Sequence, residues 1–378
     1  MEKTARALIA IALVLSFVGI MILASASQAI GELSYRSPYY FLIRQGVFAV
    51  LAIVAAFIVS RLNYQCWSGK TACLLGFVSV GLLLITLAVG KEINGSKRWL
   101  DLGFFSLQAS EIAKLTSIIL VASWMAHMQR KAGTFWKGLM FPAGVLGMVA
   151  VLILLEPDYG TTLLVVAVGF VIMFMAGSKL GYIVVASSLG LVSFSYLVML
   201  NEVRMRRIVA FLNPEKYAEL EAYQLISAIH AFVMGRTAGV GYGNGMQKEH
   251  SMPEAHTDFI FAVLGEDGGL RATLFVLLLF VGLFVCGLRI SLKAHDQFGK
   301  LLGLGITFMI TLQALLNMGV VTGCLPTKGL ALPFMSYGGS SLIMTAVMVG
   351  ILVNIAHQNA DEALAAKAIP IKERSHWF

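Results

Sequence analysis

Hydrophobic residues occur along this chain in long, nearly continuous runs rather than in the alternating pattern of half-buried strands. A helix needs about 20 mostly apolar residues to cross a bilayer, and a spanning helix satisfies all of its own backbone hydrogen bonds. The pattern therefore predicts an all-α polytopic membrane protein with ten transmembrane helices. Their expected ranges are 7–27, 42–60, 72–89, 107–128, 139–155, 161–176, 180–200, 272–288, 302–322 and 340–356.

The composition excludes a set of soluble domains. The 378 residues are 58% hydrophobic and only 13% charged, whereas soluble proteins carry about 25% charged residues. We expect one membrane domain, residues 1–357, followed by a polar tail, residues 358–378. The first apolar run, 7–24, is longer than the roughly 7–15 residues of a signal-peptide core, so we expect it to remain as the first helix. The four cysteines show no metal-like spacing.

An even number of spans places both termini on one side of the membrane. Lysines and arginines in the short connections favour a cytoplasmic side for the termini, which makes the long segment 201–257, between helices 7 and 8, extracytoplasmic. Tyr223, Ile226, Ile229 and Val233 in it recur at helical spacing and predict an amphipathic helix on the membrane. The glycines that follow, between 235 and 245, are typical of a flexible loop or of a close approach to a ligand.

The predicted outer connections carry an unusual number of basic residues. Two interpretations stay open: a solvated face beside anionic lipid headgroups, or a cradle for an anionic group such as a pyrophosphate. The residues concerned include Lys97, Arg98, Arg204, Arg206, Arg207 and Lys328.

Glu111 and Lys114 lie three residues apart in the fourth predicted helix and therefore share a helix face. Charged residues inside a membrane face the protein interior and have a partner. Either the two side chains form a structural salt bridge, or Lys114 reaches an anionic substrate in a cavity.

Two connections between predicted helices have an unusual composition. Residues 156–160 read EPDYG, which is typical of a tight turn, although its carboxylates could instead face an outer cavity. Residues 325–341 contain two prolines and three glycines, which prevent one regular helix. Irregular backbone near a membrane is tolerated where it is covered by protein or lines a cavity, so this segment favours a functional role.

Asp258 is the sharpest catalytic candidate, because it stands at the start of a hydrophobic run with Glu254 and His256 close by in sequence. An apolar environment disfavours the charged form of a carboxylate, which suits it to accept a proton. The alternatives are a helix N-cap or a partner for His256.

Four motifs carry a resemblance to a known family: NGSKRWLDLGFFSLQASEIAKL, EPDYGTTLLV, PEAHTDFIFAVLGEDGG and LPTKGLALPFMSYGGSS. In this order they closely resemble the SEDS (shape, elongation, division and sporulation) family over essentially the whole chain, and more its cell-division branch than its elongation branch. The resemblance implies a peptidoglycan glycosyltransferase that polymerises lipid II, a disaccharide-pentapeptide on undecaprenyl pyrophosphate. It implies work at the outer face of the bacterial cytoplasmic membrane, with a class B penicillin-binding protein transpeptidase and other division or elongation proteins as partners. No nucleic acid is expected.

The same resemblance implies roles for individual residues. Asp258 matches the catalytic carboxylate of the family. We expect the basic residues to stabilise the leaving pyrophosphate, Lys114 and Lys328 foremost, with Glu111 positioning Lys114 and with His256 and Ser336 at the substrate. A divalent cation, Mg or Mn, is the helper that we consider, although the sequence shows no dedicated cluster of metal ligands. The sequence departs from the family pattern at Glu156, where glutamine is common, and at GEDGG, where GEELG is usual.

Two other functions use the same ingredients. A flippase for lipid II also needs a polytopic bundle, an anion-binding cavity and broken helices, but it should carry polar residues along a path between the leaflets. A non-catalytic scaffold that activates a partner synthase should not depend on Asp258. The matched charged motifs lie mostly at the predicted outer side, which favours chemistry there.

Overall fold

The computed structural model describes residues 1–93, 96–101, 103, 105–217, 222–246 and 255–368. The fold is predominantly helical. In chain order its main elements are α1 (Glu2–Ala26), α2 (Gln28–Tyr35), α3 (Tyr40–Arg61), α4 (Lys70–Val89), β1 (Lys91–Ile93), β2 (Ser96–Asp101), β3 (Ser106–Gln108), α5 (Ala109–His127), α6 (Phe141–Leu155), α7 (Tyr159–Met175), α8 (Leu180–Met199), α9 (Glu202–Leu212), α10 (Tyr223–Gly235), α11 (Ile260–Leu292), α12 (Gln297–Val321) and α13 (Gly339–Ala368).

The predicted multi-pass membrane architecture is confirmed. Within the described part of the chain, nine helices are long and apolar enough to cross a membrane. The remaining predicted span, 161–176, coincides with α7, an apolar helix of 17 residues. Each predicted range thus falls on a helix, while the number that crosses the bilayer stays a prediction.

The eighth predicted span, 272–288, is much too short. Helix α11 has 33 residues and begins at Ile260, with a kink at Gly269, whose φ is +67°. The prediction began the span late because Glu266, Asp267 and neighbouring glycines interrupt the apolar run. The first turns of α11 therefore follow directly after Asp258 in the chain.

A small antiparallel sheet, in the order β1-β2-β3, was not predicted. Trp99 on its central strand pairs with Lys91 on one side and with Gln108 on the other. The strands are three to six residues long, too short for an alternating pattern to stand out. The sheet joins α4 to α5, and its central strand β2 carries Arg98.

Contacts between connections define one end of the bundle as the site end. Arg98 of β2 reaches the turn between α6 and α7, Arg204 of α9 reaches the same turn, and Ser340 of α13 bonds to Ser106 of β3. These are the connections that the sequence places on one side of the membrane. The side that this end faces stays a prediction.

The interior of the bundle is formed by α5, α12 and α13. Of the apolar stretch that could cross the membrane, 78% is buried in α5 and 72% in α12, but only 6% in α8. Helix α8 is therefore peripheral and presents apolar side chains outward. The last helix, α13, continues to Ala368, so the described part of the predicted tail is helical, and residues 369–378 lie outside the described part.

Candidate functional site

Asp258 lies in the turn that leads into α11 and is half-buried at the site end. The backbone carbonyl groups of this turn accept hydrogen bonds from residues that lie outside the turn. Three successive carbonyl oxygens accept hydrogen bonds: His256 O from Tyr337 N (3.0 Å), Thr257 O from Ser336 Oγ (2.6 Å) and Asp258 O from Asn317 Nδ2 (2.8 Å). The backbone at Asp258 is thus fixed to α12 and to the segment that precedes α13.

Residues 325–341, the glycine- and proline-containing segment, pass directly in front of Asp258. A Cβ atom built on Gly329 would stand 2.9 Å from Oδ2 of Asp258. This part of the segment therefore lies against the carboxylate, and the absence of a side chain on Gly329 leaves room beside it.

The same segment is irregular backbone whose polar groups are satisfied by neighbouring side chains. Leu330 O accepts a hydrogen bond from Asn317 Nδ2 (2.6 Å), and Ala331 O accepts one from Gln313 Nε2 (2.8 Å). Leu332 N donates to Ser336 Oγ at 2.7 Å. This is the covered arrangement that irregular backbone at membrane depth requires.

The hydroxyl group of Ser336 forms hydrogen bonds with the protein's own backbone. It donates to Thr257 O and accepts from Leu332 N, and only 6% of the residue is exposed. His256 is half-buried and packs against the rings of Phe41 and Tyr337. Both residues lie beside Asp258, and their contact with a substrate stays a prediction.

Glu111 and Lys114 form the structural salt bridge that was one of the two interpretations. The ammonium of Lys114 lies 2.8 Å from Oε2 of Glu111, and the Lys114 side chain is 1% exposed. It also donates to Gln313 Oε1 at 2.8 Å. Gln313 in turn donates a hydrogen bond to Ala331 O. The ion pair is therefore connected, through Gln313, to the segment 325–341 that contacts Asp258. A direct substrate contact by Lys114 stays a prediction.

Two arginines converge on the turn between α6 and α7. Arg98 donates to Glu156 O (2.9 Å) and to Pro157 O (2.7 Å), and Arg204 donates to Pro157 O (3.4 Å). The Arg204 guanidinium also lies 3.1 Å from the centre of the Tyr159 ring. Burial, together with repulsion from nearby arginines, lowers the pKa of Arg204 to about 10.

Lys328 joins this group through aromatic rings. Its ammonium lies 5.7 Å from the centre of the Phe194 ring, and Phe194 packs edge-on against Tyr159 with 5.6 Å between ring centres. Burial lowers the pKa of Lys328. Arg98, Arg204 and Lys328 thus form one basic cluster around the turn, with aromatic faces between its members.

The three other predicted basic residues lie more openly. Lys97, Arg206 and Arg207 are exposed. Arg206 lies 3.7 Å from Glu202 in an exposed ion pair within α9, which stabilises little. Glu254, which the sequence places near Asp258, lies outside the described residues.

Glu156 belongs to the tight turn that the sequence predicts for residues 156–160. The turn itself is confirmed, because Asp158 caps α7 by accepting from Thr161 N at 3.0 Å. The Glu156 side chain, however, is fully buried, and neither of its carboxylate oxygens has a hydrogen-bond partner in the described structure. Burial and then the Asp158 charge raise the pKa of Glu156 to about 8, against the opposing effect of Arg98. The available signal was the acidic residue at a position where the family commonly has glutamine.

The glycine-rich segment 235–245 approaches protein backbone closely. Val240 N donates to Glu266 O and Gly241 N to Asp267 O, at 3.0 and 3.1 Å. A Cβ on Gly239, whose φ is +82°, would stand 2.2 Å from Asp267 O. The glycines therefore let this loop dock on the kink of α11, which explains them without a ligand.

Helix α10 exists as predicted, and a different set of residues from the predicted apolar face packs on the protein. Small residues, Ala228, Ala231 and Gly235, are buried, and α10 packs on α11. Val233, predicted on the face that lies on the membrane, is 65% exposed, and its contact with the membrane stays a prediction. It helps to line an apolar groove of about 530 Å³ between α10, α11 and the end of α12.

No group of three or more His, Cys, Asp or Glu side chains suited to a metal ion occurs among the residues that the structure describes. Glu156 and Asp158 lie close together, but Asp158 is occupied by the α7 cap. The participation of a divalent cation stays a prediction.

Comparisons with known proteins agree with the geometry. Residues 5–361 match the family model FtsW/RodA/SpoVE, described as cell cycle protein. Relatives named probable peptidoglycan glycosyltransferase FtsW include one from Nitrosococcus halophilus, 39% identical over 96% of this chain and 94% of its own length. Another, from Geobacter metallireducens, is 38% identical over 94% of this chain and 95% of its own.

Solved structures share the fold. A chain from a study of how a peptidoglycan synthase complex coordinates polymerization and crosslinking superposes with a TM-score of 0.76, at 27% identity, over 93% of this chain and 97% of that chain. The rod shape determining protein RodA of Thermus thermophilus gives a TM-score of 0.70, at 27% identity, over 93% of this chain and 96% of that chain.

Proposed function

The chain belongs to the FtsW/RodA/SpoVE family, and from this premise we propose that it is a peptidoglycan glycosyltransferase that polymerises lipid II, with a role in septal cell-wall synthesis. The observation that carries the proposal is the position of Asp258: three hydrogen bonds hold the backbone of its turn, and its carboxylate lies against Gly329. A basic cluster suited to a pyrophosphate lies at the same end of the bundle.

Asp258 acts as the general base. It accepts the proton of the acceptor sugar hydroxyl while that oxygen attacks the anomeric carbon of the donor. The new glycosidic bond forms as the bond from the anomeric carbon to the pyrophosphate oxygen breaks, and the lipid pyrophosphate leaves as an anion. The transfer is a single displacement by the acceptor oxygen, so one carboxylate suffices. Only a retaining scheme would need a second, nucleophilic carboxylate.

The leaving pyrophosphate needs charge stabilisation more than it needs an acid. Arg98, Arg204 and Lys328 supply positive charge at the site end. Nη1 of Arg204 is buried and has no hydrogen-bond partner in the described part of the chain, so it is a donor that a phosphate oxygen would satisfy. A divalent cation would add to this charge, and no step is assigned to it here.

Localisation and partners follow from the same premise. The chain would lie in the bacterial cytoplasmic membrane with both termini inside, so that the site end faces outward. A class B penicillin-binding protein would crosslink the glycan strands that it makes. Support comes from the structural neighbour, which belongs to a complex that coordinates polymerization with crosslinking.

A purified-protein assay tests the proposal against the flippase and the scaffold. Labelled lipid II is supplied to the full chain in detergent, alone and with its partner transpeptidase, and products are separated by length. Detergent provides no two leaflets, so glycan polymer supports the enzyme. If no polymer forms even with the partner present, the flippase is favoured. Polymer that forms only with the partner and is unaffected by Asp258→Asn supports the scaffold.

A further inference from the structure

We propose that Asn317 is a positioning residue for the glycosyl transfer, because its side-chain amide fixes the distance between the backbone of Asp258 and the segment 325–341, which contacts the Asp258 carboxylate. This inference rests on the proposed function of Asp258. Asn317 lies in the last turns of α12 and is 2% exposed. It touches neither lipid nor solvent, so its contacts are to the protein interior.

One nitrogen atom makes both decisive contacts. Nδ2 of Asn317 donates to Asp258 O at 2.8 Å and to Leu330 O at 2.6 Å. Leu330 is the neighbour of Gly329, which faces the carboxylate. The two hydrogens of a single amide therefore connect the backbone of Asp258, the proposed base, to the backbone of the segment 325–341 beside its carboxylate.

The orientation of the amide is determined by its neighbours. If the amide were flipped, Oδ1 would face two carbonyl oxygens, which cannot donate. In the observed orientation Oδ1 is buried and has no hydrogen-bond partner among the described residues. An unsatisfied buried oxygen disfavours the folded state, which points to a positional role for the two donors rather than to stability alone.

A second amide repeats the arrangement one turn earlier on α12. Gln313, four residues before Asn317 and so on the same helix face, donates to Ala331 O at 2.8 Å and accepts from Lys114. Two successive carbonyls of the segment are thereby tied to one rigid, buried helix. Of the two amides, Asn317 is the one that also holds Asp258.

The chemistry explains why asparagine suits this position. Serine offers one hydrogen, and alanine offers none. An ionised aspartate only accepts hydrogen bonds and would repel both carbonyl oxygens. Losing the bridge lets Asp258 and Gly329 drift relative to each other, and a misplacement of about 1 Å in an active site can reduce the rate about 100-fold.

The test compares Asn317→Ala and Asn317→Ser with the wild type in the polymerisation assay on labelled lipid II. We expect kcat to fall about 10- to 100-fold in Asn317→Ala, with a smaller loss in Asn317→Ser, which keeps one donor. KM should stay within about 2-fold, because the bridge acts on the reacting geometry and not on uniform substrate binding.

A matched control separates positioning from folding. Asn354 is also buried, at the opposite end of the bundle, where its amide donates to Ser60 O and accepts from Tyr64 N. Asn354→Ala should lower the melting temperature in detergent by at least as much as Asn317→Ala does, with kcat within about 2-fold of the wild type. If Asn317→Ala does not fold, Asn317→Ser decides the matter on the same criteria.

The outcomes distinguish this inference from the proposed function. If the wild type polymerises and Asp258→Asn does not, the function stands. The Asn317 inference is then overturned when kcat stays within about 2-fold of the wild type, or when KM changes instead of kcat. It is also overturned when the loss of kcat merely matches that of Asn354→Ala. If the wild type itself makes no polymer, the proposed function has failed first.

Discussion

Gly329 lies directly against Asp258: a Cβ atom at position 329 would stand 2.9 Å from Oδ2 of the carboxylate. Gly329 is exposed, so this contact lies at the surface of the site end. A glycine at this place omits a side chain that would press against the carboxylate, and the acceptor hydroxyl must come within hydrogen-bond distance of that carboxylate, about 2.6–3.2 Å.

Gly329→Ala should therefore impair catalysis without unfolding the protein. We expect kcat/KM for lipid II polymerisation to fall about 10- to 100-fold, because the new methyl group displaces either the carboxylate or the acceptor. Gly338→Ala is the matched control in the same segment, since a Cβ there meets Ser341 Cβ at an ordinary 3.8 Å. Equal activity of the two variants would contradict this account of Gly329.

The buried Glu111–Lys114 pair predicts a pattern of stability. Lys114→Met leaves a buried carboxylate without its partner and should destabilise the protein by about 3–5 kcal/mol. The double variant Glu111→Gln/Lys114→Met removes both charges and should recover most of the loss in melting temperature. Its polymerisation activity then separates the roles: near-normal activity indicates a structural pair, whereas a loss in the stable double variant indicates that Lys114 contacts the substrate.

Glu156 predicts a dependence of stability on pH. Its pKa is raised to about 8 from an ordinary value near 4.5, so between these values the folded state holds a proton that the unfolded state has released. Stability from this group therefore falls as pH rises from about 5 to 8 and changes no further above that range.

Glu156→Gln mimics the protonated carboxyl at every pH and should remove this dependence. We expect the variant to gain melting temperature over the wild type at pH 8 but not at pH 5, as measured in the same detergent. A constant difference between the two proteins at both pH values would show that Glu156 does not hold a proton in the folded state.

Gly235 predicts how tightly α10 packs on α11. A Cβ on Gly235 would stand 1.9 Å from Gly265 O, so Gly235→Ala must push the two helices apart and should lower the melting temperature by several degrees. Gly46 on α3 has open space around its Cβ position, and Gly46→Ala should be neutral or stabilising by up to about 1 kcal/mol. A neutral Gly235→Ala would contradict the observed packing.

The helices could be predicted from the sequence because a bilayer-spanning helix requires a long apolar run, a signal that needs no knowledge of tertiary contacts. The same reasoning began the span at 272 instead of Ile260, because Glu266 and Asp267 are buried by the docked glycine loop. Their burial depends on a contact between distant segments, which local hydrophobicity does not report. The sheet of residues 91–108 was not predicted for a different reason: its strands of three to six residues are too short to show an alternating pattern.

A motif singles out Asp258 and Lys328 in the sequence, and the structure places both at the site end, while their roles stay predictions. Asn317 and Gln313 were not predictable, because an amide in an apolar helix carries no signal of what it holds. Their role becomes evident only when α12 is packed against the irregular segment. The hydrogen bond from Lys114 to Gln313 was likewise not predictable, because the two residues are 199 positions apart in sequence.

The most direct test of the central claim is the rate of glycan polymerisation by Asp258→Asn, measured with labelled lipid II in detergent on protein shown to be folded. Asp101→Asn is the matched control, because Asp101 is an exposed carboxylate at the same end of the bundle, paired with Lys91. We predict that Asp258→Asn forms no detectable polymer while Asp101→Asn retains the wild-type rate. Polymerisation by Asp258→Asn at a near-normal rate would remove Asp258 from the role of base.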